Sequence, residues 1–487
     1  MNATQRTILF LIADTGAGHR SAANAINNAI TLISQQEQEE WQKRFRAEQV
    51  VTIGELGEQR AEQSVQTQVK ADVLPPPTYR VKIVDVFEEY SRFPLREAVK
   101  LYGPTIRYNP KLYGEVFRLS NSEQRVRAVK TLTSPLINNG LLRLITSVKP
   151  DVIVSVHPML NHVTVQVLRE LGLCIPFITV VTDLVSIHYT WYAQGVDAYV
   201  VPTEQAKQLC IKRGLNPERV HMLGMPIDPK FTRPVASKEE LQRKFGLKRG
   251  VPTILLVGGG DGAGGLQKAV RAISRAHLPV QLMVVTGRNR RLYAHLQRTR
   301  SGLHVPARIF GFVQNMPELM RASDVIITKA GPGTIYEALA CNLPIILSGY
   351  VPGQEEGNVD FVINNNVGIL ALNSPVLIDA LRRLINPGSL EMRRQVENAK
   401  RISRPQASFD IAKCILGYMP PAEGAGAWQS QHWQQRRYTL SSRLKSAIRI
   451  RRLRRRLPRT LLKSPVMRRI SHLRMRGFAD EETDSLS

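Results

Sequence analysis

Residues 7–13 read TILFLIA and run directly into DTGAGHR at 14–20, and this junction decides the fold class. Apolar residues then recur at helical spacing, which predicts a helix from about 21 to 34. A short apolar strand, a glycine-containing turn and a helix are typical of the opening of an α/β unit. We therefore expect the chain to begin with a strand of a parallel sheet.

The same alternation continues in two series. In the first, further strands are predicted at 79–86, 152–156, 177–181 and 198–201. The second series predicts strands at 253–257, 281–285, 307–310, 325–328 and 344–347. Continuous apolar strands separated by helices indicate parallel sheets that are covered on both faces. The fold expected is therefore α/β, with two doubly wound domains whose strand ends face one cleft.

Breaks in the pattern suggest the domain boundaries. A proline-rich stretch at 224–234 predicts a linker, which gives domains at 1–226 and 227–419. Residues 35–78 are rich in Gln and Glu and end in three prolines, so we interpret them as an exposed insertion, partly helical or disordered. The last helix, about 405–418, is a candidate to pack back on the first domain. Residues 420–487 form a separate basic tail.

Charge distinguishes this chain from an average one. Its 487 residues contain 67 Lys and Arg against 40 Asp and Glu, a formal net charge of +27. Residues 429–487 alone hold 16 basic and 4 acidic residues, with apolar side chains between them. Such a tail suits an anionic membrane surface. A disordered solubilising tail and an RNA-binding arm are the alternatives, and nucleic acid is the least favoured partner.

Composition also excludes several classes of protein. Hydrophobic residues make up 43% of the chain, which excludes a disordered protein. No apolar run reaches the 18 residues expected of a membrane-spanning helix, and no secretion signal is visible. The four cysteines are widely spaced and lack neighbouring metal ligands, so we expect reduced core residues, no metal site and a cytoplasmic protein.

In the first domain, residues at predicted strand ends could act on a ligand. Gly18 and His19 lie where the first strand meets its helix, and a histidine there can serve as acid or base. The motif fits neither the dinucleotide-binding nor the P-loop pattern. His157, Asp183 and His188 follow later strands, and Trp191 comes shortly after His188. Asp183 is a catalytic candidate with His19, whereas the acceptor-side candidates are Gly18, His157, His188 and Trp191. The alternative is that each simply belongs to a turn or faces solvent.

Two glycine-rich turns of the second domain suit phosphate. GGGDGAGG at 258–265, which includes Gly259 and Gly260, follows the first strand, although a flexible loop explains it equally well. TKAGPGTIYEAL at 328–339 places a strand end, a turn and a helix start in succession, and free N–H groups of that helix would face an anion.

The residues after that turn suggest how a nucleotide sugar would be held. Gly331, Gly333 and Thr334 would contact the diphosphate, and Glu337 would accept hydrogen bonds from ribose hydroxyls or, alternatively, only interact with the helix dipole. The next segment, PGQEEGN at 352–358, supplies mixed donors and acceptors for sugar hydroxyls. Its candidates are Gln354, Glu355 and Asn358.

Several segments together carry a family resemblance. They are ILFLIADTGAGHRSAANAI, SVHPMLNHV, VTDLVSIHYTWY, GMPIDPKF, LLVGGGDGAGG, VTGRNRRL and ITKAGPGTIYEALACNLPIILSGYVPGQEEGNV. Between about residues 8 and 416 the chain closely resembles the monogalactosyldiacylglycerol synthases and related diacylglycerol glycosyltransferases of glycosyltransferase family 28. That family is similar to the peptidoglycan N-acetylglucosaminyltransferase. The insertion at 35–78 and the basic tail depart from its core pattern.

The resemblance implies a fold, a reaction and residue roles. It implies the GT-B architecture of two facing Rossmann-like domains. It also implies transfer of a hexose, with galactose favoured, from its uridine diphosphate donor to diacylglycerol with inversion at the anomeric carbon. No cofactor or bound metal is implied. His19 would be the essential histidine near the acceptor, with Asp183 its partner or alternative, Glu337 the ribose carboxylate, and Gln354 and Glu355 the sugar contacts.

Three alternatives remain open from the sequence. The donor could be UDP-glucose instead of UDP-galactose. A UDP-sugar epimerase uses a similar cleft and would act without lipid. A non-catalytic membrane or RNA adaptor could keep the fold alone, although His19, Glu337 and Gln354 together argue against it. An enzyme with a lipid acceptor would be bound peripherally to the cytoplasmic face of a membrane. The sequence does not predict the oligomeric state of the protein.

Overall fold

The computed structural model describes residues 5–14, 17–55, 75–101, 105, 109–258 and 265–420, giving the backbone alone for residues 17 and 47–55. In these ranges the chain forms two parallel sheets of six strands each. The predicted α/β class with two doubly wound domains is confirmed.

The first sheet has the strand order β2-β1-β3-β4-β5-β6. Its strands are β1 (Gln5–Ile12), β2 (Thr78–Asp85), β3 (Val152–Ser155), β4 (Phe177–Val180), β5 (Ala198–Val201) and β6 (Val220–Met222). The helices of this part are α1 (Ala17–Glu55), α2 (Val86–Tyr90), α3 (Leu95–Lys100), α4 (Pro110–Ser120), α5 (Glu123–Val148), α6 (Asn161–Leu171) and α7 (Glu204–Lys212).

The second sheet has the order β12-β11-β10-β7-β8-β9. Its strands are β7 (Thr253–Val257), β8 (Gln281–Val285), β9 (Ala307–Phe310), β10 (Val325–Lys329), β11 (Ile345–Gly349) and β12 (Gly368–Leu370). The helices are α8 (Lys238–Lys244), α9 (Leu266–Arg275), α10 (Arg290–Thr299), α11 (Met316–Arg321), α12 (Pro332–Ala340), α13 (Glu356–Asn364), α14 (Ser374–Ile385), α15 (Leu390–Ile402) and α16 (Ala407–Gly417).

Burial explains why the central strands, such as β7, are apolar throughout. All five residues of β7 are buried, and successive side chains enter different core clusters. Ile254 and Leu256 belong to one cluster, whereas Leu255 and Val257 belong to the other. Side chains of a strand alternate between the faces of the sheet, so this sheet is covered on both faces.

Helix α16 is the last helix that the structure describes, and it packs in the core of the first sheet although it follows the second sheet in sequence. Its residues Ile411, Ala412 and Ile415 lie in one buried cluster with residues of β1 and α1. The Ser408 hydroxyl donates to the carbonyl of Ile227 at 2.5 Å and so ties the start of this helix to the proline-rich stretch. The chain therefore crosses back from the second sheet to the first.

Three features of the fold differ from the sequence expectations. Helix α1 continues to Glu55 instead of ending near 34, because the polar residues after 34 are compatible with an exposed helix. The strands β6 and β12 have three residues each, too few to show a pattern. Cys174 is exposed and not a core residue, since it follows the turn that ends α6.

Some predictions fall on residues that the structure does not describe. These are residues 56–74 of the insertion, Gly259 and Gly260 of the first glycine-rich turn, and the basic tail after Pro420. Among the helices that are described, none combines the length and apolar character needed to span a membrane.

A close contact between helices gives a stability test. In α5, a Cβ added at Gly140 would overlap the backbone carbonyl of Tyr90 at the end of α2. Alanine normally stabilises a helix interior relative to glycine by about 0.5–1 kcal/mol. We expect Gly140→Ala to lower the free energy of unfolding by about 1–3 kcal/mol instead.

Chemical denaturation of this variant and of Gly417→Ala checks the prediction. A Cβ at Gly417, in α16, would meet no neighbouring atom, so that substitution should leave stability unchanged or slightly raised. Equal stability of Gly140→Ala and the wild-type protein would contradict the close contact.

Candidate functional site

Polar side chains of the first domain meet at one edge of its sheet. His19 follows β1, His157 follows β3 and Asp183 follows β4, and these three strands are neighbours. Because the strands are parallel, their carboxyl ends lie at the same edge. The ring centroids of His19 and His157 are 4.8 Å apart in an edge-to-face arrangement. The structure therefore brings together residues that are 138 positions apart in sequence.

Burial keeps both histidines uncharged. It lowers the pKa of His19 to about 4, against opposing effects of the Val156 backbone and Asp14. Burial, with His19 beside it, also lowers the pKa of His157 well below its usual value. An uncharged imidazole has a nitrogen lone pair, so His19 can accept a proton at neutral pH.

Asp14, which follows β1, is held in place from the neighbouring strand. The Asp85 carboxylate, at the end of β2, accepts from the Asp14 N–H at 2.8 Å and also caps α2. Asp14 in turn forms an exposed ion pair with Arg20 at 2.6 Å. Gly18 is exposed, and a Cβ added there would meet no atom within 4 Å. The helix start beside His19 is thus anchored on one side and open on the other.

Asp183 is connected to His19 through an aromatic ring. Its carboxylate accepts from Trp191 Nε1 at 2.7 Å, and the Trp191 ring centroid lies 6.5 Å from that of His19. Burial raises the pKa of Asp183 to about 6, although the hydrogen bonds from Trp191 and the His188 backbone act in the opposite direction. Asn161 donates to the Trp191 carbonyl at 2.8 Å and fixes the other side of this residue.

His188 is hydrogen-bonded inside the first domain. Its Nδ1 accepts from the Thr190 N–H at 3.2 Å, and its Nε2 lies 3.2 Å from the Ser120 hydroxyl. Burial lowers its pKa to about 4. The ring also contacts Phe117 at 4.7 Å between centroids. These contacts join α4 to the loop that carries Asp183.

In the second domain, α12 begins at the carboxyl edge of the sheet. Gly331 precedes it in an extended conformation, Pro332 is its first residue, and no described side chain caps it. A Cβ added at Gly333 would meet no atom within 4 Å, so open space lies beside this helix start. Its first N–H groups, which include those of Gly333 and Thr334, have no partner within the helix, a typical arrangement for binding an anion.

Glu337 lies in the second turn of α12 in a largely buried position. Burial, with Asp228 beside it, raises its pKa to about 8. Asp228 belongs to the proline-rich stretch, where it caps a short 3₁₀ turn, and Asn28 of α1 donates to it at 3.4 Å. The hydroxyl of the preceding residue, Tyr336, donates to the Pro202 carbonyl at 3.0 Å. The elements around Glu337 thus come from both domains.

Two of the predicted sugar contacts hold the turn before α12. The Glu355 carboxylate accepts from Lys329 Nζ at 2.6 Å and from the Val351 N–H at 2.9 Å. Asn358 is buried and donates to the Ala330 carbonyl at 2.9 Å. In this structure both side chains are therefore occupied by the protein itself, and they fix the position of the helix start.

Gln354 contacts the first domain. Its side-chain oxygen accepts from the Tyr113 hydroxyl of α4 at 2.9 Å. Close by, a Cβ at Gly114 would lie 2.7 Å from that of Pro352, and Gly353 has a positive φ of 77°. Arg118 and Glu356 form an ion pair at 2.5 Å. Helix α4 thus lies directly on the turn that carries Gln354.

Sequence reasoning missed several residues of this site. Lys329 places its amine beside the α12 start, and Tyr113 reaches Gln354 from a helix 241 positions earlier. Phe312 follows β9 and is 62% exposed, with the Arg288 guanidinium 5.6 Å from its ring centroid. The lysine at the strand end before GPG could have been found from its position alone. Contacts at long sequence separation leave no such signal.

The arrangement combines two chemical capacities. One edge offers uncharged His19 with the buried carboxyl of Asp183, and the facing edge offers the open α12 start with Lys329 and Glu337. The first can accept a proton, and the second can bind an anion. Among the described residues, no group of three or more His, Cys, Asp or Glu side chains is placed to hold a metal ion.

Known families and proteins resemble this chain in both halves. The family model for monogalactosyldiacylglycerol (MGDG) synthase matches residues 58–227, and that for the glycosyltransferase family 28 C-terminal domain matches residues 253–410. The probable monogalactosyldiacylglycerol synthase 2 of Oryza sativa subsp. japonica is 33% identical over 85% of this chain and 81% of its own length. The monogalactosyldiacylglycerol synthase 3 of Arabidopsis thaliana is 32% identical over 84% and 81%.

A solved structure shares the fold. The MurG structure from Acinetobacter baumannii aligns with a TM-score of 0.51 at 13% sequence identity, covering 85% of this chain and 99% of that one. At that identity the likeness concerns architecture alone, and it confirms the two-domain GT-B fold. The sequence relatives, which share about a third of their residues with this chain over most of both lengths, show that it belongs to the monogalactosyldiacylglycerol synthase family of glycosyltransferases.

Proposed function

We propose that this enzyme transfers a hexose from a uridine diphosphate donor to the free hydroxyl of diacylglycerol, and that galactose is favoured over glucose as this hexose. The observation that supports it best is the pairing of two strand-end clusters, one able to accept a proton and one able to bind a diphosphate. The names of the sequence relatives favour galactose over glucose. Incubation of the purified protein with diacylglycerol and labelled UDP-galactose or UDP-glucose, followed by separation of the lipid products, tests this directly.

In the proposed reaction the bond to the acceptor oxygen forms as the bond to the diphosphate breaks. His19 accepts the proton of the acceptor hydroxyl, and the anomeric carbon is inverted in a single displacement. Asp183 holds Trp191 beside His19. The diphosphate leaves with the electron pair of the broken bond, and its charge is stabilised by the α12 N–H groups and Lys329. No cofactor or resident metal takes part in this scheme.

Donor recognition is proposed to use the second domain. Glu337 accepts hydrogen bonds from ribose hydroxyls, and Gln354 contacts the sugar while Glu355 and Asn358 keep the turn in place. The exposed Phe312 offers a flat ring on which a base can stack. The glycine-rich turn with Gly259 and Gly260 remains a proposed diphosphate contact outside the described residues.

A lipid face supports the choice of acceptor. Six of the twelve large apolar side chains that the described residues expose lie between 93 and 132. We call this set the lipid face, and it consists of Phe93, Leu101, Leu112, Val116, Leu119 and Leu132. Three of them follow one side of α4, with exposed Lys111 on the same helix, while Arg118 is ion-paired with Glu115 and Glu356. Apolar residues flanked by basic ones are typical of a helix at a lipid surface.

Peripheral binding to an anionic membrane follows from this proposal. The lipid face would enter the headgroup region, and the basic tail after residue 420 would add attraction to anionic lipids. An epimerase would need neither feature, and it would convert its sugar nucleotide without lipid.

The role of His19 can be tested by substitution. His19→Ala should reduce transfer by about 10²–10⁴-fold, because a general base contributes that much. Binding of UDP, measured by calorimetry, should stay within about twofold of the wild-type value, since the donor residues lie in the other domain. If the variant retains more than about a tenth of the wild-type turnover, His19 is not the base.

The raised pKa of Glu337 predicts a pH-dependent stability. Its folded pKa of about 8 lies above the ordinary 4.5, so the native state keeps a proton that the unfolded state has lost between these values. Stability contributed by this group is therefore lost as pH rises from about 4.5 to 8. Glu337→Gln, which cannot ionise, should melt at a higher temperature than the wild-type protein at pH 8 and at a similar one near pH 4.5.

The same variant tests the ribose contact. Glu337→Gln should weaken UDP binding, because an amide presents only one acceptor atom. Melting curves across this pH range and calorimetric titration at pH 8 give both readings. If the melting temperatures of Glu337→Gln and the wild-type protein depend on pH in the same way, the raised pKa of the buried Glu337 carboxyl is refuted. If the affinity for UDP is unchanged, the ribose contact is refuted.

The lipid face can be tested with a matched pair of variants. Val116→Glu should reduce binding to phosphatidylglycerol vesicles by about tenfold or more, because burying one valine contributes about 1.5 kcal/mol. Leu390→Glu alters a side chain that is 66% exposed on α15, outside the lipid face, and should leave binding unchanged. Vesicle sedimentation compares them. Equal binding by the two variants would exclude this face from docking.

A further inference from the structure

A pocket lies at the amino edge of the second sheet, opposite the carboxyl edge at which α12 begins. Its volume is about 500 Å³, and it is bounded by residues 246–248, 281–282, 300 and 303–308. These include the first residues of β8 and β9, whereas α12 follows a strand at its carboxyl end. Five residues of β8 span roughly 15 Å. The pocket is therefore separate from the proposed donor site.

The lining of this pocket is cationic. It contains Lys248, Arg300, His304 and Arg308, and no acidic side chain. Along the chain, residues 248–317, which run through both edges of the sheet, have a single acidic residue, Asp261. They include eleven basic ones, none of which forms a salt bridge among the described residues: Lys248, Arg249, Lys268, Arg271, Arg275, Arg288, Arg290, Arg291, Arg298, Arg300 and Arg308. A pocket lining of one sign raises the local concentration of anions.

Lys248 stands on a rigid part of the rim. The buried Gln281 accepts from the Lys248 N–H at 2.8 Å and donates to the Lys248 carbonyl at 2.8 Å. Its amide nitrogen also lies 3.1 Å from the Val251 carbonyl and 3.0 Å from the Thr253 hydroxyl. One side chain thus fixes the loop that carries the lysine.

Arg308 and His304 are anchored as well. Arg308 Nη2 donates to the Gly246 carbonyl at 2.9 Å. Gly246 has a positive φ of 63°, and a Cβ there would lie 2.5 Å from Arg308 Nη2, so glycine is needed to seat the guanidinium. The His304 N–H donates to the buried Ser274 hydroxyl at 2.8 Å, and its ring lies 4.6 Å from that of His277 between centroids. The rim is organised without a ligand.

We propose that this pocket binds a ligand that carries one or two phosphate groups. Arginine guanidinium groups match the geometry of phosphate oxygens, and the Arg308 guanidinium, which is already held by Gly246, loses little freedom when an anion binds. The volume falls within the range of small-molecule sites. A soluble phosphate compound and the headgroup of an anionic lipid share this chemistry, and the proposal does not depend on the transferase reaction.

The test uses the full-length protein without nucleotide, and a matched pair of variants separates this pocket from the proposed donor site. Pyrophosphate is titrated by calorimetry, and vesicles of phosphatidylglycerol are compared with vesicles of phosphatidylcholine by sedimentation. Arg300→Glu removes one rim cation whose side chain is exposed. Arg291→Glu makes the same charge change in the same basic stretch, on α10 and outside the pocket lining, and is the matched control.

Arg300→Glu should weaken binding by about tenfold or more, while Arg291→Glu changes it by less than about twofold. A loss seen with pyrophosphate identifies a soluble source, and a loss confined to phosphatidylglycerol vesicles identifies a lipid headgroup. Gly246→Ala, which displaces Arg308, should reproduce the loss while the melting temperature reports its folding. Equal effects of the two glutamate variants, or no binding of pyrophosphate or phosphatidylglycerol vesicles by the wild-type protein, would overturn the proposal.

Discussion

Parallel strand pairing is the constraint on which the rest of this structure depends. Each sheet has all six strands in one direction, so every strand ends at the same edge. The chain can therefore place polar residues after separate strands and still bring them within contact distance, as His19 and His157 show. The cost is that the central strands must be buried on both faces, which explains the apolar runs of the sequence, whereas the edge strand β2 keeps Arg80 and Lys82 exposed.

The amino edges of the sheets are organised by a repeated hydrogen bond. Asp151 precedes β3 and accepts from the Thr7 N–H, and Asp324 precedes β10 and accepts from the Thr253 N–H, at 2.7 and 2.8 Å. In each case a carboxylate accepts from an amide near the start of the neighbouring strand: Thr253 is the first residue of β7, and Thr7 is the third of β1. The same solution in both domains leaves the carboxyl edges available for ligand chemistry.

Much of the fold could be predicted because its signals are local. Apolar runs located the longer strands, and the GPG turn located the start of α12. The short strands β6 and β12 gave no signal, since three residues carry no periodicity. Glu355 illustrates the limit for the site. Its residue type suggested a sugar contact, but its partner Lys329 depends on how two neighbouring strands end, which the sequence does not state.

The contact between α4 and the 352–354 turn has a consequence for how related sequences can vary. Gly114 and Gly353 lie in different domains, yet the carbonyl of Gly114 is 3.0 Å from where a Cβ at Gly353 would be. A larger side chain at either position would separate two backbones, so neither position can change alone. Across relatives that keep this domain contact, we expect both glycines to be kept, Gly114 because of the close approach and Gly353 also because its φ of 77° favours glycine.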